Sequence, residues 1–127
     1  MKKCTFIKTW NNADCVKSIE DIKDAIIDKN NVVMITSKYI FIKQDGYYET
    51  LTDDNGNKFE ICFHKEPSGW LATEKTTGYM VVCSVSTRKD CLNEVRYYLN
   101  KLRLKLKNFD EVRLEVQKAY ELLENKN

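Results

Sequence analysis

One cysteine and the only histidine of the chain lie two positions apart in Cys62-Phe63-His64. Side chains alternate along a strand, so a strand here would place the thiol and the imidazole on one side. These are zinc-ligand types, for which Cys83 and Cys91 are further candidates. They are also the types of a nucleophilic Cys–His pair, with Cys83 beside His64 on a neighbouring strand. No Cys-x-x-Cys pair supports the metal. We therefore favour a half-buried cysteine beside a surface histidine at a strand end, and we predict no metal, no cofactor and no catalytic residue.

A basic stretch from Arg96 to Lys107 is the most distinctive local feature, because it contains five cations and no acid. Two tyrosines lie within it, and arginine with tyrosine suits phosphate pairing and base stacking. Three interpretations stay open: a nucleotide or nucleic-acid site, a site for an acidic protein, or lysines that solubilise the end of a helix and favour its dipole. The candidate partner-binding residues are Arg96, Tyr97, Tyr98, Lys101, Arg103 and Arg113.

Two other patterns have a structural and a functional interpretation. The sequence Asp53-Asp54-Asn55-Gly56-Asn57 resembles a calcium loop, but Leu51 occupies the first ligand position of an EF-hand, so we predict a hairpin turn. Aromatic residues on the predicted strands are either core residues or a contact patch for a partner. The aromatic set is Tyr39, Phe41, Tyr47, Tyr48 and Trp70.

There is no phosphate-binding glycine loop and no G-x-S-x-G, so we predict that the chain is not an enzyme.

Period-two patterns predict the strands that position these residues. We predict a strand over residues 4–10, a helix over about 18–29, and then an antiparallel meander of about five strands over 32–86. Turns are expected at Asp45-Gly46, at residues 53–57, at 67–69 and at 75–78.

Two helices are predicted at the C-terminal end, capped by Thr87-x-x-Asp90 and Asn108-x-x-Glu111. The fold class is therefore α+β, in the order β-α-β-β-β-β-β-α-α. Leucines outside the predicted buried faces either meet further parts of the core or form a second apolar face for another copy or a partner, and we expect a homodimer through these helices. The first predicted face holds Cys91, Val95, Tyr98, Leu99 and Leu102, the second holds Phe109, Val112, Val116, Tyr120 and Leu123, and the extra leucines are Leu104, Leu106, Leu114 and Leu122.

Length and charge limit the function classes. The chain has 127 residues, which is the size of one domain, and no apolar run is long enough to span a membrane. Lys plus Arg is 21 and Asp plus Glu is 19, so the net charge of +2 argues against general coating of nucleic acid. Five irregularly spaced cysteines and the lack of a signal-peptide pattern predict free thiols in the cytoplasm.

Within residues 58–102, Trp70 lies on a predicted hairpin strand, Gly78 lies in the turn that follows, and Thr87-Arg88-Lys89-Asp90 begins a predicted helix. This pattern resembles the core of HicB-type antitoxins. The resemblance implies an antitoxin or a regulatory module that binds nucleic acid.

The whole chain also resembles small phage and prophage proteins of low-GC bacteria in size, in Asn and Lys content and in its predicted layout. That group includes anti-CRISPR proteins and proteins that sequester cyclic-nucleotide signals. This resemblance implies a cytoplasmic, non-enzymatic inhibitor that blocks or sequesters a host defence protein, nucleic acid or nucleotide.

Overall fold

The computed structural model describes residues 1–11, 31–36, 38–107 and 109–125. It contains an antiparallel sheet followed by two C-terminal helices, which confirms that part of the α+β prediction. The predicted helix over 18–29 and the predicted cap Asn108 lie outside the described residues, so the structure does not show them. The elements are β1 (Lys2–Asn11), β2 (Val32–Ile35), β3 (Tyr39–Thr52), β4 (Lys58–Glu66), β5 (Gly69–Glu74), β6 (Met80–Val85), α1 (Arg88–Leu106) and α2 (Asp110–Asn125).

The sheet has the strand order β1-β3-β4-β5-β6, and β2 pairs with β3 beside this path. The long strand β3 is the organising element. Its residues 39–48 pair with β1, and its residues 47–52 pair with β4. The hairpin turns expected at 53–57, 67–69 and 75–78 lie at or near the strand ends.

The predicted turn at Asp45-Gly46 is wrong, because β3 continues through both residues. A Cβ atom on Gly46 would collide with the carbonyl oxygen of Phe63 and lie 3.0 Å from Cε1 of Phe6. The space that glycine leaves lets Phe6 of β1 reach across β3 to His64 of β4, where the ring centroids are 5.8 Å apart. Gly46 therefore serves a close approach between strands rather than a reversal of the chain.

Helix α1 begins where its sequence predicts. The Thr87 hydroxyl accepts a hydrogen bond from the backbone N–H of Asp90 at 3.1 Å, so the predicted cap is confirmed. The buried face differs from the prediction at two positions. Leu106 is buried within the core, whereas Tyr98 is 38% exposed. The buried face of α1 consists of Cys91, Val95, Leu99, Leu102 and Leu106, and it packs on Leu51, Ile61, Phe63, Ala72 and Val82 of the sheet.

Helix α2 covers the other end of the sheet, where Val112, Val116 and Ala119 pack against Ile7 and Phe41. The face predicted for this helix is confirmed, because its three remaining members are half-buried against the same cluster. Among the candidate exposed aromatics, Phe41 is fully buried and the others are half-buried, which favours the core interpretation. The three half-buried members of the predicted face are Phe109, which directly precedes α2, and Tyr120 and Leu123 within α2.

The hydroxyl of Tyr120 joins α2 to two parts of the sheet. It accepts a hydrogen bond from the backbone N–H of Ile7 at 3.0 Å and donates one to the carbonyl of Lys75 at 3.1 Å. Close by, the backbone N–H of Thr9 donates to the carbonyl of Gly78 at 3.1 Å. The sheet is therefore curved enough for β1 to meet the turn between β5 and β6.

We predict that Tyr120→Phe lowers the free energy of unfolding by about 1–3 kcal/mol, because it leaves two part-buried backbone groups without their partner. Urea unfolding followed by circular dichroism measures this loss. Tyr97→Phe is the matched control, since Tyr97 is 73% exposed and its removal should leave stability unchanged. Equal stability of the two variants would show that the Tyr120 bridge does not support the fold.

Candidate functional site

The outer face of α1, which we define as Tyr97, Lys101 and Leu104, points away from the core. Residues three and four positions apart share one side of a helix, so these three side chains form a single stripe. Tyr97 is 73% exposed and Leu104 is 72% exposed. The outer face of α1 therefore presents an exposed aromatic ring and an exposed leucine with a lysine between them.

Arg96 and Arg103 lie on the flank of α1 that faces the β3–β4 hairpin. Arg96 borders a cleft of about 400 Å³ that also contains Glu49, Asp53 and Asp54. The hydrogen bond from the Asn57 side chain holds the pKa of Asp53 below its usual value, and the charge of Arg103 adds to this effect. This flank therefore combines cations with carboxylates.

The hairpin on this flank is fixed to α1. Asn100 accepts a hydrogen bond from the backbone N–H of Asp54 at 2.9 Å and donates one to its carboxylate at 2.7 Å. Within the loop, the Asp53 carboxylate accepts from the backbone N–H groups of Asn55 and Asn57. Residues 53–57, which resemble a calcium loop in sequence, thus form the predicted hairpin turn. The carboxylates of this segment stabilise the turn itself.

Tyr98 and Lys105 lie on the opposite flank of α1, facing β6. Between helix and strand is a groove of about 360 Å³, which we call the β6–α1 groove. The Lys105 ammonium lies 5.7 Å from the centroid of the Tyr98 ring. The sequence patterns did not reveal this groove, because it depends on how α1 packs beside an edge strand. Its lining includes Tyr79, Val81, Cys83, Glu94, Tyr98 and Lys105.

Arg113 lies apart from the other candidate residues, on α2. Its guanidinium contacts the Asp110 carboxylate at 2.6 Å and donates to the carbonyl of Leu106 at 3.1 Å. It therefore ties the start of α2 to the end of α1. The six candidate residues consequently occupy the outer face of α1, its two flanks and the junction with α2, and do not converge on one pocket.

The structure does not bring Cys83 or Cys91 beside His64. Cys62 and His64 share one side of β4 as predicted. The expectation of a half-buried cysteine beside a surface histidine is wrong, because Cys62 is fully buried and His64 is only 3% exposed. Burial raises the pKa values of the Cys4 and Cys62 thiols. Cys83 lies on β6, and β5 separates it from β4. Among the described residues, no group of three or more His, Cys, Asp or Glu side chains is arranged to hold a metal.

His64 belongs instead to a buried polar contact. Its Nε2 lies 3.2 Å from the Glu66 carboxylate, which also contacts the Lys8 ammonium at 3.5 Å. A carboxylate only accepts, so Nε2 carries the proton and Nδ1 is the bare nitrogen. Nδ1 is buried and has no hydrogen-bond partner in the described part of the chain. Burial lowers the pKa of His64, although Glu66 opposes this shift.

The comparisons with known proteins add no family. No protein-family model, curated protein or solved structure is significantly similar to this chain. Within the stretches that the structure describes, no helix combines the length and hydropathy needed to cross a membrane.

We predict that the free energy of unfolding falls as the pH decreases below about 6.5, the ordinary pKa of histidine. The folded state has the lower pKa, so the unfolded chain takes up the proton first, and the loss continues until the pH passes the folded pKa. Urea unfolding at steps between pH 7.5 and pH 5 measures this slope. His64→Phe removes the titrating group and should give a nearly flat profile. A wild-type profile that is equally flat would rule out a buried neutral His64.

Proposed function

We propose that this chain is a non-enzymatic binding protein that recognises an acidic surface of a macromolecular partner through the outer face of α1. The observation that carries this proposal is the exposure of Tyr97 and Leu104, each above 70%, among the cations of the same helix. Tyrosine and arginine are enriched among the residues that dominate binding energy at protein interfaces. An apolar centre within a charged rim is the usual anatomy of such an interface.

The surroundings of the cations favour a macromolecule over a small nucleotide. Arg96 shares its cleft with Glu49, Asp53 and Asp54, and Lys105 shares its groove with Glu94. A phosphate group in either place would meet carboxylates of the same sign of charge, which is unfavourable. A broad partner surface can instead contact the outer face of α1 together with the flank that carries Arg96 and Arg103.

The biological role that we propose is inhibition of a host defence component by a phage or mobile-element protein in the cytoplasm. Such an inhibitor acts by covering a surface, with no bond made or broken. This fits a chain whose exposed aromatic and cationic residues lie on a helix that is firmly packed on a sheet. The resemblance to small phage proteins supports the same role.

A HicB-like antitoxin or regulatory nucleic-acid-binding module is the second candidate. It is favoured by the cations from the middle of α1 to just beyond its end, which are all exposed. Binding to phosphates releases counterions, so affinity would fall steeply with added salt. A protein interface with an apolar centre would lose less affinity, because salt screens only its charged rim. The exposed cations are Arg96, Lys101, Arg103, Lys105 and Lys107.

We predict that the double variant Arg96→Glu and Arg103→Glu loses inhibitory activity at least tenfold, because it places carboxylates opposite an acidic partner. The readout is phage plating efficiency on bacteria that carry a panel of defence systems and express the chain. Lys58→Glu with Lys65→Glu is the matched control, since both lysines are exposed on β4 and the net charge changes equally. Full activity of the arginine variant, with unchanged thermal stability, would refute the assignment of this surface.

We also propose a homodimer through the outer side of α2, where Leu114 is 63% exposed and Leu122 is 42% exposed. Native mass spectrometry of the chain purified from a bacterial host should show a dimer without bound nucleotide. Leu114→Glu with Leu122→Glu should give a monomer, because charged residues replace the apolar contact. A monomeric wild type would contradict the dimer, and a retained mass of nucleotide size would contradict the macromolecular partner.

A further inference from the structure

The outer edge of β6 is unpaired within the part of the chain that the structure describes. β6 is the last strand in the sheet order and pairs only with β5 among the described strands. Met80 is 49% exposed and Cys83 is exposed, so side chains along this strand meet solvent. The backbone N–H and C=O groups on the outer side of an edge strand are a template for a further strand.

Helix α1 runs back along this edge and forms one wall of the β6–α1 groove. β6 ends at Val85 and α1 begins at Arg88, so the two elements are joined at one end. At the other end, Phe109 follows α1 and contacts Tyr79, which precedes β6, with ring centroids 5.5 Å apart. The helix is therefore antiparallel to the strand along its whole length, and a chain lying on β6 would also contact the helix.

The groove has an apolar middle and charged ends. Val81 and Tyr98 are among the residues that line it, and Glu94 and Lys105 border it from α1. These two charges are eleven residues apart, which is about 16 Å along a helix. An extended chain covers this distance in about five residues. Because α1 is antiparallel to β6, Lys105 is at the end of the groove where β6 begins, and Glu94 is toward the end where β6 finishes.

We propose that the β6–α1 groove binds an extended peptide segment of a partner protein as an additional antiparallel strand on β6. An antiparallel peptide runs from the Glu94 end to the Lys105 end. The preferred segment therefore has a basic residue first, apolar residues over Val81 and Tyr98, and an acidic residue about five positions later. The strand edge favours an extended chain, because a strand supplies backbone groups that pair with those of β6. Regular pairing is limited to part of β6, since its register against β5 shifts twice and Ser84 has a φ of 61°. This site is separate from the outer face of α1 and does not depend on the function proposed for that face.

Two synthetic peptides of identical composition test the proposal. Each has acetylated and amidated ends and four alternating valines and threonines, and one begins with lysine and ends with glutamate while the other has these two residues exchanged. Fluorescence anisotropy of labelled peptides measures binding to the wild type and to the double variant Glu94→Lys and Lys105→Glu. This variant keeps the net charge of the protein, so it is matched to the wild type.

The wild type should bind the lysine-first peptide about threefold to tenfold more tightly, because exposed ion pairs contribute modestly to affinity. The double variant should prefer the glutamate-first peptide by a similar factor. Hydrogen exchange of the backbone amides of β6 should slow when the preferred peptide binds. Failure of both peptides to bind at millimolar concentration overturns the proposal. An unchanged peptide preference in the charge-reversed variant also overturns it, as does unaltered hydrogen exchange of the β6 amides when peptide binds.

Discussion

The burial of one face of α1 is the constraint on which the candidate surfaces depend. Five residues of this helix pack on the sheet, and each buried leucine or valine contributes about 1.5–3 kcal/mol. Rotating the helix to cover Tyr97 or Leu104 would expose several of them, at a cost far above the gain. With 3.6 residues per turn, the buried face forces these two residues outward and distributes the cations over the outer face and the two flanks. The five residues are Cys91, Val95, Leu99, Leu102 and Leu106.

The sheet that supports α1 is itself held by contacts between parts distant in sequence. Gly46 leaves the space through which β1 side chains reach β4, and Tyr120 connects β1 to the turn after β5. Buried polar groups such as His64 are tolerated because their charged form is disfavoured and one nitrogen has a carboxylate partner. Helix α1, which carries the cations, rests on side chains from β3, β4, β5 and β6.

Local chemistry explains which features were predictable from the sequence. The cap at Thr87 and the hairpin at residues 53–57 depend on side chains that bond to nearby backbone, so their patterns identify them. Asp45-Gly46 carries the same local signal as a turn, but the reason for Gly46 is the approach of Phe63 and Phe6, which a local pattern does not contain. The α+β class follows from periodicity alone.

The candidate site was predictable only as a set of residue types. The basic stretch in the sequence identified α1 as the candidate binding element. The positions of its cations around the helix, however, depend on which face of the helix is buried. Arg113 appears similar to Arg96 in the sequence, but in the structure it bonds to Asp110 and to the end of α1. The β6–α1 groove requires an edge strand and a helix side by side. No single segment of the sequence determines the order of the strands in a sheet, so the groove could not be predicted.

Site-specific photocrosslinking in host cells tests the central claim most directly. A benzophenone amino acid is introduced in place of Tyr97, of Leu104 or, as a control on β4, of Lys65. The account predicts one crosslinked protein of the same mass from positions 97 and 104, none from position 65, and loss of the product when Arg96 and Arg103 are both changed to Glu. A product that forms from position 65 but not from 97 or 104 would contradict the claim that the outer face of α1 is the binding surface.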